Sequence, residues 1–506
     1  MNNSPAKLPE QPEVAPEVIR ESWGPAALEE RRQRTAQHLS ELAERRAYWI
    51  DNNRYYYNLL SRLLRFLVEP GKSVLSVRCG PGDLLAAVRP ARGVGVEISP
   101  QIIEVARQRY PEFTYAMAFP DTDAFSDHFD NSEEKFDYII FSGIDDTVDV
   151  QRALKNLRAV CHRHTRLIIT SYNHLWEPLV NLAELLGMKV PSIEQNWLSD
   201  TDIGTLLSLS GYELLGQRRI VLCPKYIPLL SGFLNSFCAR LPGLNRLCMT
   251  EAHVARVVPP PVDPQNLTIS VIVPCKDERG NIQDAVERIP ELGKRTEIIF
   301  CDDNSTDGTP DEVRRVQALY PERDVRLEFG PGICKSKNVW TGFDAATGDI
   351  LAILDADLTT MPEELPYFIN AISSGLAEFI NGSRLVYPVP PAAMKTANMV
   401  GNKFFSLSFS YLLNQRVKDT LCGTKVLWRS DWERIKPLRG TWGIEDRWGD
   451  YDLLFGASKL NLRIIDLPVH YQERIHGATK MTRVCQNGLI MLRMCWYGFL
   501  KLKLGY

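Results

Sequence analysis

The decapeptide VVPPPVDPQN, residues 257–266, cuts the chain into two halves, each carrying its own series of short apolar runs. Prolines withhold backbone donors and favour an extended connection, so this stretch reads as a linker and not as part of a sheet. Before it, SVLSVRCG, GVGVEIS, FDYIIFSG and TRLIITSY alternate with helix-like segments; after it, TISVIVP, TEIIFCDD and DILAILDAD do the same. Apolar runs of this length are strands covered on both faces, the pattern of a mostly parallel α/β sheet. The expectation is two α/β domains, at 27–256 and 267–484, with a flexible lead at 1–26, the linker at 257–266 and a tail at 485–506.

Charge and cysteine usage narrow the setting. With 59 basic against 62 acidic residues the chain has no global positive field, so no nucleic-acid partner is expected. Eleven cysteines without a C-x-x-C pair argue against a disulfide framework or a thiolate zinc site and favour a reducing cytoplasm. The first twenty residues lack the apolar stretch of a signal peptide, and no run of about 18 apolar residues predicts a membrane span.

In the second half three strands end in acids: Asp277 and Glu278, Asp302 and Asp303, and Asp355 and Asp357. The carboxyl ends of parallel strands share one crevice, so these acids should converge. Two carboxylates on a short turn, as in the Asp-x-Asp of DADLTT, can hold Mg²⁺ or Mn²⁺ against a diphosphate; alone, the same turn serves equally as a helix cap.

The ordered series SVIVPCKDERGNI, CDDNSTDGT, ATGDILAILDADLTTMPEELP and NGSR resembles family 2 glycosyltransferases, nearest to dolichyl- or polyprenyl-phosphate mannose and glucose synthases, over about 267–480. The resemblance implies a GT-A fold and inverting transfer of a hexose from a nucleotide sugar. By motif it places Pro274, Lys276, Glu278 and Asp303 in the nucleotide pocket, together with Asp355, Ala356, Asp357 and Arg384. Asp355 and Asp357 are the metal ligands and catalytic acids it implies, with Thr359 as a third ligand standing where Gln is frequent. Asp450 and Asp452 of WGDYDLLF are catalytic or acceptor-positioning candidates or helix-starting residues, and LPVHYQERIHGATKM implies an acceptor-phosphate role for Arg474 and Lys480.

In the first half SVLSVRCGPGDLLAAV and GVGVEIS resemble the opening of class I S-adenosylmethionine methyltransferases, a Rossmann-like fold. Gly80, Gly82 and Glu97 occupy the cofactor-binding places, but Ser76 and Arg78 stand where an acid and a glycine are expected. Retained methyl transfer therefore does not follow. His162 and His164 read as loop residues ahead of a strand, and the aromatic cluster Tyr172 to Pro178 follows a strand end.

The tail NGLIMLRMCWYGFLKLKLGY joins Leu489, Leu492, Trp496 and Phe499 to Arg493, Lys501 and Lys503, a composition suited to a membrane interface or to packing on the protein's own core. The reading is a cytoplasmic, peripheral hexosyltransferase at the inner membrane face, with polyprenyl phosphate as acceptor. Two rivals stay open: a transferase acting on a soluble glycan or small hydroxyl acceptor with an active methyltransferase domain, and a non-catalytic assembly or recruitment factor. Neither the base nor the sugar of the donor is legible.

Overall fold

The computed structural model describes residues 24–130, 135–191, 195–388, 396–476 and 484–505. Most of the 1–26 lead, and Lys480, lie outside the described residues. Two seven-stranded sheets form the architecture, with strands β1–β7 in the first and β8–β14 in the second.

The first sheet contains β1 (Ser73–Val77), β2 (Arg92–Glu97), β3 (Thr114–Met117), β4 (Phe136–Phe141), β5 (Cys161–Tyr172), β6 (Tyr212–Ile220) and β7 (Thr250–Val257). Their order is β3-β2-β1-β4-β5-β7-β6, parallel except that β7 runs antiparallel to both β5 and β6. This is a Rossmann-like sheet whose order reverses between β1 and β4, where a crevice opens at the carboxyl ends of the strands. Three helices, Pro25–Glu41, Ala43–Asn52 and Arg54–Leu67, precede it. β5 begins at Cys161, so His162 and His164 belong to the strand and not to a loop before it; the ladder with β4 already starts at Phe136 and Cys161.

The second sheet contains β8 (Thr268–Cys275), β9 (Arg295–Asp302), β10 (Asp324–Phe329), β11 (Ile350–Ile353), β12 (Phe379–Ser383), β13 (Lys425–Trp428) and β14 (Ile464–Pro468), in the order β10-β9-β8-β11-β13-β12-β14. The β10-β9-β8-β11 part is parallel, and β13 is antiparallel to both β11 and β12. The carboxyl ends of β8, β9 and β11 therefore lie side by side.

The two units do not keep separate cores. Leu63, Leu64 and Leu67 of the first share one apolar cluster with Phe409, Leu412, Phe455 and Leu502 of the second. At the seam, fully buried Arg166 donates to both oxygens of Glu378, at 2.8 and 2.9 Å, and to the Asn461 carbonyl at 2.9 Å. Arg256 reaches the Gly375 carbonyl at 2.7 Å, and Arg434 pairs with Glu69 at 2.7 Å.

The tail forms a helix, Val484–Gly498, followed by a wider turn at Phe499–Lys503. Met491, Met494 and Leu502 are buried, and Arg218 and Arg240 of the first unit donate to the Leu502 and Lys503 carbonyls at 3.0 and 2.8 Å. Lys503 departs from its expected place at a membrane. Its ammonium contacts Asn414 and the Tyr411 ring, and burial, aided by Arg218 and Arg240, pulls its pKa down to about 6. The opposite face leaves Leu489, Leu492 and Trp496 exposed beside Phe404 and Leu407 of the helix Thr396–Leu413. No described helix is long and apolar enough to cross a membrane.

Candidate active site

The acids at the ends of β8, β9 and β11 surround one crevice. Asp355 lies two residues beyond β11 and pairs with Lys335 Nζ at 2.5 Å; Lys335 opens the helix Lys335–Ala345. Burial alone would raise the Asp355 pKa, but the Lys335 ammonium, with Lys425 and Arg384, holds the carboxyl below its ordinary range. In turn Asp355, Asp450 and Asp357 raise the pKa of the half-buried Lys335 against the cost of its desolvation. Room for the Asp355 carboxylate comes from Gly423, where an added Cβ would stand 2.1 Å from Asp355 Oδ2. Any other residue here would collide with the carboxylate, which packs directly against the glycine.

Asp357 accepts from the Thr359 hydroxyl at 2.9 Å and from its backbone N–H at 3.2 Å. Arg474 bridges Asp357 and Glu278, donating to Glu278 Oε1 at 3.0 Å and also to Asp357. The structure thereby brings together four residues singled out in the sequence: Glu278, Asp357, Thr359 and Arg474. Asn281 donates to Glu278 at 2.7 Å and orients it. Asp303 is buried with Lys276 3.7 Å away, and its Oδ1 has no hydrogen-bond partner. An orphaned buried carboxylate oxygen in a crevice is poised for a ligand donor. Pro274 stands at the end of β8, and Ala356 is buried between the two acids.

Arg384 does not join this group. It forms a fork with Asp419, at 2.7 and 2.9 Å, and lies over the Tyr471 ring. Asp450 is buried and forms an ion pair with Lys425 Nζ at 2.6 Å.

A second pair of acids joins Asp452, which the sequence singled out, to Asp446, which it did not. Asp446 accepts the N–H groups of Tyr451 and Asp452 at 2.8 and 3.0 Å, at the start of the helix Asp450–Lys459. Burial and the nearby Asp450 push its pKa up to about 6, and burial and Asp446 push that of Asp452 up to about 7. Both line a cavity of about 790 Å³ that also receives Lys337, Lys436 and Arg439. The Glu-Asp dipeptide at 445–446 was the available signal, but it carries no periodicity or motif order by itself.

A donor set of two strand-end carboxylates and a hydroxyl is all oxygen and suits Mg²⁺ or Mn²⁺. Two other clusters among the described residues, His164 with Glu378 and Asp431, and Asp200 with Glu251 and His253, have ligand atoms within reach of one ion. Each is already served by an arginine, Arg166 and Arg434 in the first and Arg219 in the second, so they are ion-pair networks.

In the first unit, Gly80 and Glu97 meet at the ends of β1 and β2, but with Arg78 between Glu97 and the crevice. Arg78 Nε donates to Glu97 at 3.1 Å and its terminal nitrogen to Asp146 at 2.7 Å. Glu97 is wholly buried and also accepts the N–H groups of Gly80, at 2.9 Å, and Ile98, at 2.8 Å. Gly82, at φ +90°, caps the next helix and packs toward Tyr115, so it shapes the turn.

Comparisons with known proteins agree with this division. A model described as glycosyl transferase family 2 matches residues 270–433, and one described as a methyltransferase domain matches residues 68–203. A dolichol-phosphate mannosyltransferase of Pyrococcus furiosus is 35% identical over 122 residues, covering 24% of this chain and 34% of that protein. The low-salt glycan biosynthesis hexosyltransferase Agl6 of Haloferax volcanii is 28% identical over 211 residues, covering 41% and 48%. The chain thus spans less than half the length of these curated relatives. Among solved structures, the mannosyltransferase PcManGT of Pyrobaculum calidifontis, in complex with GDP-Man and Mn²⁺, is 20% identical with a TM-score of 0.33, covering 48% of this chain and 66% of that one. The chain joins a methyltransferase domain to a glycosyl transferase family 2 domain.

Proposed function

We propose that the second domain transfers a hexose, with inversion, from a nucleotide sugar to a polyprenyl phosphate at a membrane surface. The observation that carries this reading is the crevice in which Arg474 joins Glu278 to Asp357, one turn from Asp355 and Lys335. Breaking a sugar–phosphate bond builds negative charge on the leaving diphosphate, and cations set in a crevice stabilise that charge. Asp355 and Asp357, with Thr359, are the residues that would hold a divalent ion, which when bound supplies further charge neutralisation at the diphosphate. Lys335 and Arg474 are held beside the same place by those carboxylates. Glu278 and Asp303 are suited to hydroxyl and N–H donors of the nucleoside. An anionic acceptor phosphate needs no strong base, and Arg474 presents the planar fork that phosphates favour.

The membrane surface is supported by the exposed face of the last helix. Leu489, Leu492 and Trp496, with Phe404 and Leu407, form an apolar patch, and Arg493 and Lys501 are exposed nearby. Two basic side chains contribute about 1 kcal/mol each at anionic lipid, so apolar insertion must supply most of the binding. The chain should therefore float with anionic vesicles. Leu489→Asp combined with Trp496→Asp should weaken partition about a hundredfold, because two large apolar side chains lose roughly 3 kcal/mol of burial. Equal flotation of both proteins, or none by either, would detach this patch from the membrane.

One observation favours a second reading, a soluble hydroxyl acceptor: the carboxyl pair Asp446 and Asp452, with pKa values near 6 and 7, borders the wide cavity and could take a proton. Labelled sugar transfer with Mn²⁺, followed by extraction into organic solvent, separates the two. A lipid phosphate acceptor puts label in the organic phase, with a rate little changed between pH 6 and 8. A hydroxyl acceptor leaves it in water, with a rate that rises through this range as the pair loses its protons.

A further inference from the structure

The crevice at the reversal point of the first sheet is a cavity of about 330 Å³ walled by aromatic side chains, among them Trp49, Tyr56, Tyr57, Tyr172 and Trp176. A methyltransferase domain implies S-adenosylmethionine here, yet the residues present do not fit it. The acid that would receive the ribose hydroxyls, Glu97, has no exposed surface and does not line the cavity; Arg78 does. The replacement is built in. Arg78 adopts φ +57°, and its side chain fits only because residue 143 is glycine, where a Cβ would lie 2.4 Å from Arg78 Cγ. Two carboxylates, Glu97 and Asp146, are committed to it.

The charges left facing the cavity are of the wrong sign for a sulfonium. Arg46 lies over the glycine turn, its Nε 3.7 Å from the place of a Cβ on Gly80, and makes no hydrogen bond or ion pair from its guanidinium among the described residues. Lys225 Nζ meets the neutral Asn53 side chain at 2.7 Å. Of the acids in the wall, Asp146 is spent on Arg78 and Asp83 on Arg109, while burial and Asp146 push the Asp145 pKa well above its ordinary value. A guanidinium with no hydrogen-bond partner, whose charge only reaches Glu97 through space, is matched in an aromatic pocket by a dianionic phosphate on an apolar body, whereas the single carboxylate of S-adenosylmethionine brings an ammonium and a sulfonium with it.

We infer that this cavity binds a phosphate monoester carried on an apolar or aromatic body, with Arg46 pairing the phosphate, and that it excludes S-adenosylmethionine. The inference stands apart from the transfer reaction proposed for the other domain.

Titration calorimetry of the full chain with geranyl phosphate, AMP and S-adenosylmethionine, each up to about 1 mM, tests it. At least one of the two phosphates should bind about tenfold or more tighter than S-adenosylmethionine, and the same phosphate should lose about tenfold in Arg46→Met. Geranyl phosphate as the sensitive ligand identifies an isoprenoid source, and AMP a nucleotide source. Arg46→Gln, polar but uncharged, should behave as Arg46→Met does and gives a second folded variant, checked by its melting temperature. Nucleotide held only in the glycosyltransferase crevice would be indifferent to both substitutions and sensitive to Asp357→Asn. Tighter binding of S-adenosylmethionine than of either phosphate, no phosphate binding, or phosphate binding unchanged in both Arg46 variants would each overturn the inference.

Discussion

Asp357→Asn is expected to lower sugar transfer about a thousandfold or more while leaving the melting temperature within about 1 °C of the parent. The side chain sits at the crevice mouth with 15% of its surface exposed, so nothing in a core depends on its charge. Its two oxygens receive Thr359 and Arg474, and asparagine can keep the first contact through its amide oxygen. What it cannot keep is the negative charge that fixes Arg474 and completes the oxygen donor set. The loss should not be recovered by raising Mn²⁺. Turnover equal to the parent at saturating Mn²⁺ and donor would remove Asp357 from the site, and with it the assignment of the Asp-x-Asp turn.

The largest effect on stability should come from the seam. Arg166→Met leaves Glu378, buried and held ionised by Arg166 and Arg256, with the more distant Arg256 at 3.6 Å as its remaining cation and the Arg463 N–H at 2.9 Å as its remaining donor. Breaking one side of a buried pair costs about 3–5 kcal/mol, because a desolvated charge is left behind. The apparent melting temperature should fall by roughly 3–5 °C. Arg166→Met with Glu378→Met removes both charges and should recover part of the loss. A single variant that melts within about 1 °C of the parent would show that the pair is solvated in solution.

Much of this molecule was readable from residue order. The strand series of both halves and the convergence of strand-end acids follow from burial on two faces and from parallel topology, which leave local traces. Glu278, Asp357 and Arg474 could be listed from motifs, but their meeting depends on how the 467–476 segment folds back over β8 and β11, and no local pattern encodes that return. The fork of Arg384 with Asp419 was hidden for the same reason. Arg78 could be flagged as a departure, but its ion pairs with Glu97 and Asp146, far along the chain, could not. Lys503 misled because a lysine in an amphipathic tail reads as solvated, and its burial is decided by Arg218 and Arg240 more than two hundred residues earlier.

The shared core also sets an order of events at the ribosome. Leu63, Leu64 and Leu67 emerge early, yet Leu502, which helps to cover that apolar face, is made roughly 430 residues later. At about 5–20 residues per second the face waits some 20–90 s for its partner, longer than most collapse and strand-pairing steps require. During that interval the nascent first unit is a greasy-sided object, prone to self-association and a natural client for holding chaperones. Expression conditions that slow elongation should lengthen this exposure, so yield of intact protein is tied to translation speed through the position of a single leucine near the carboxyl end.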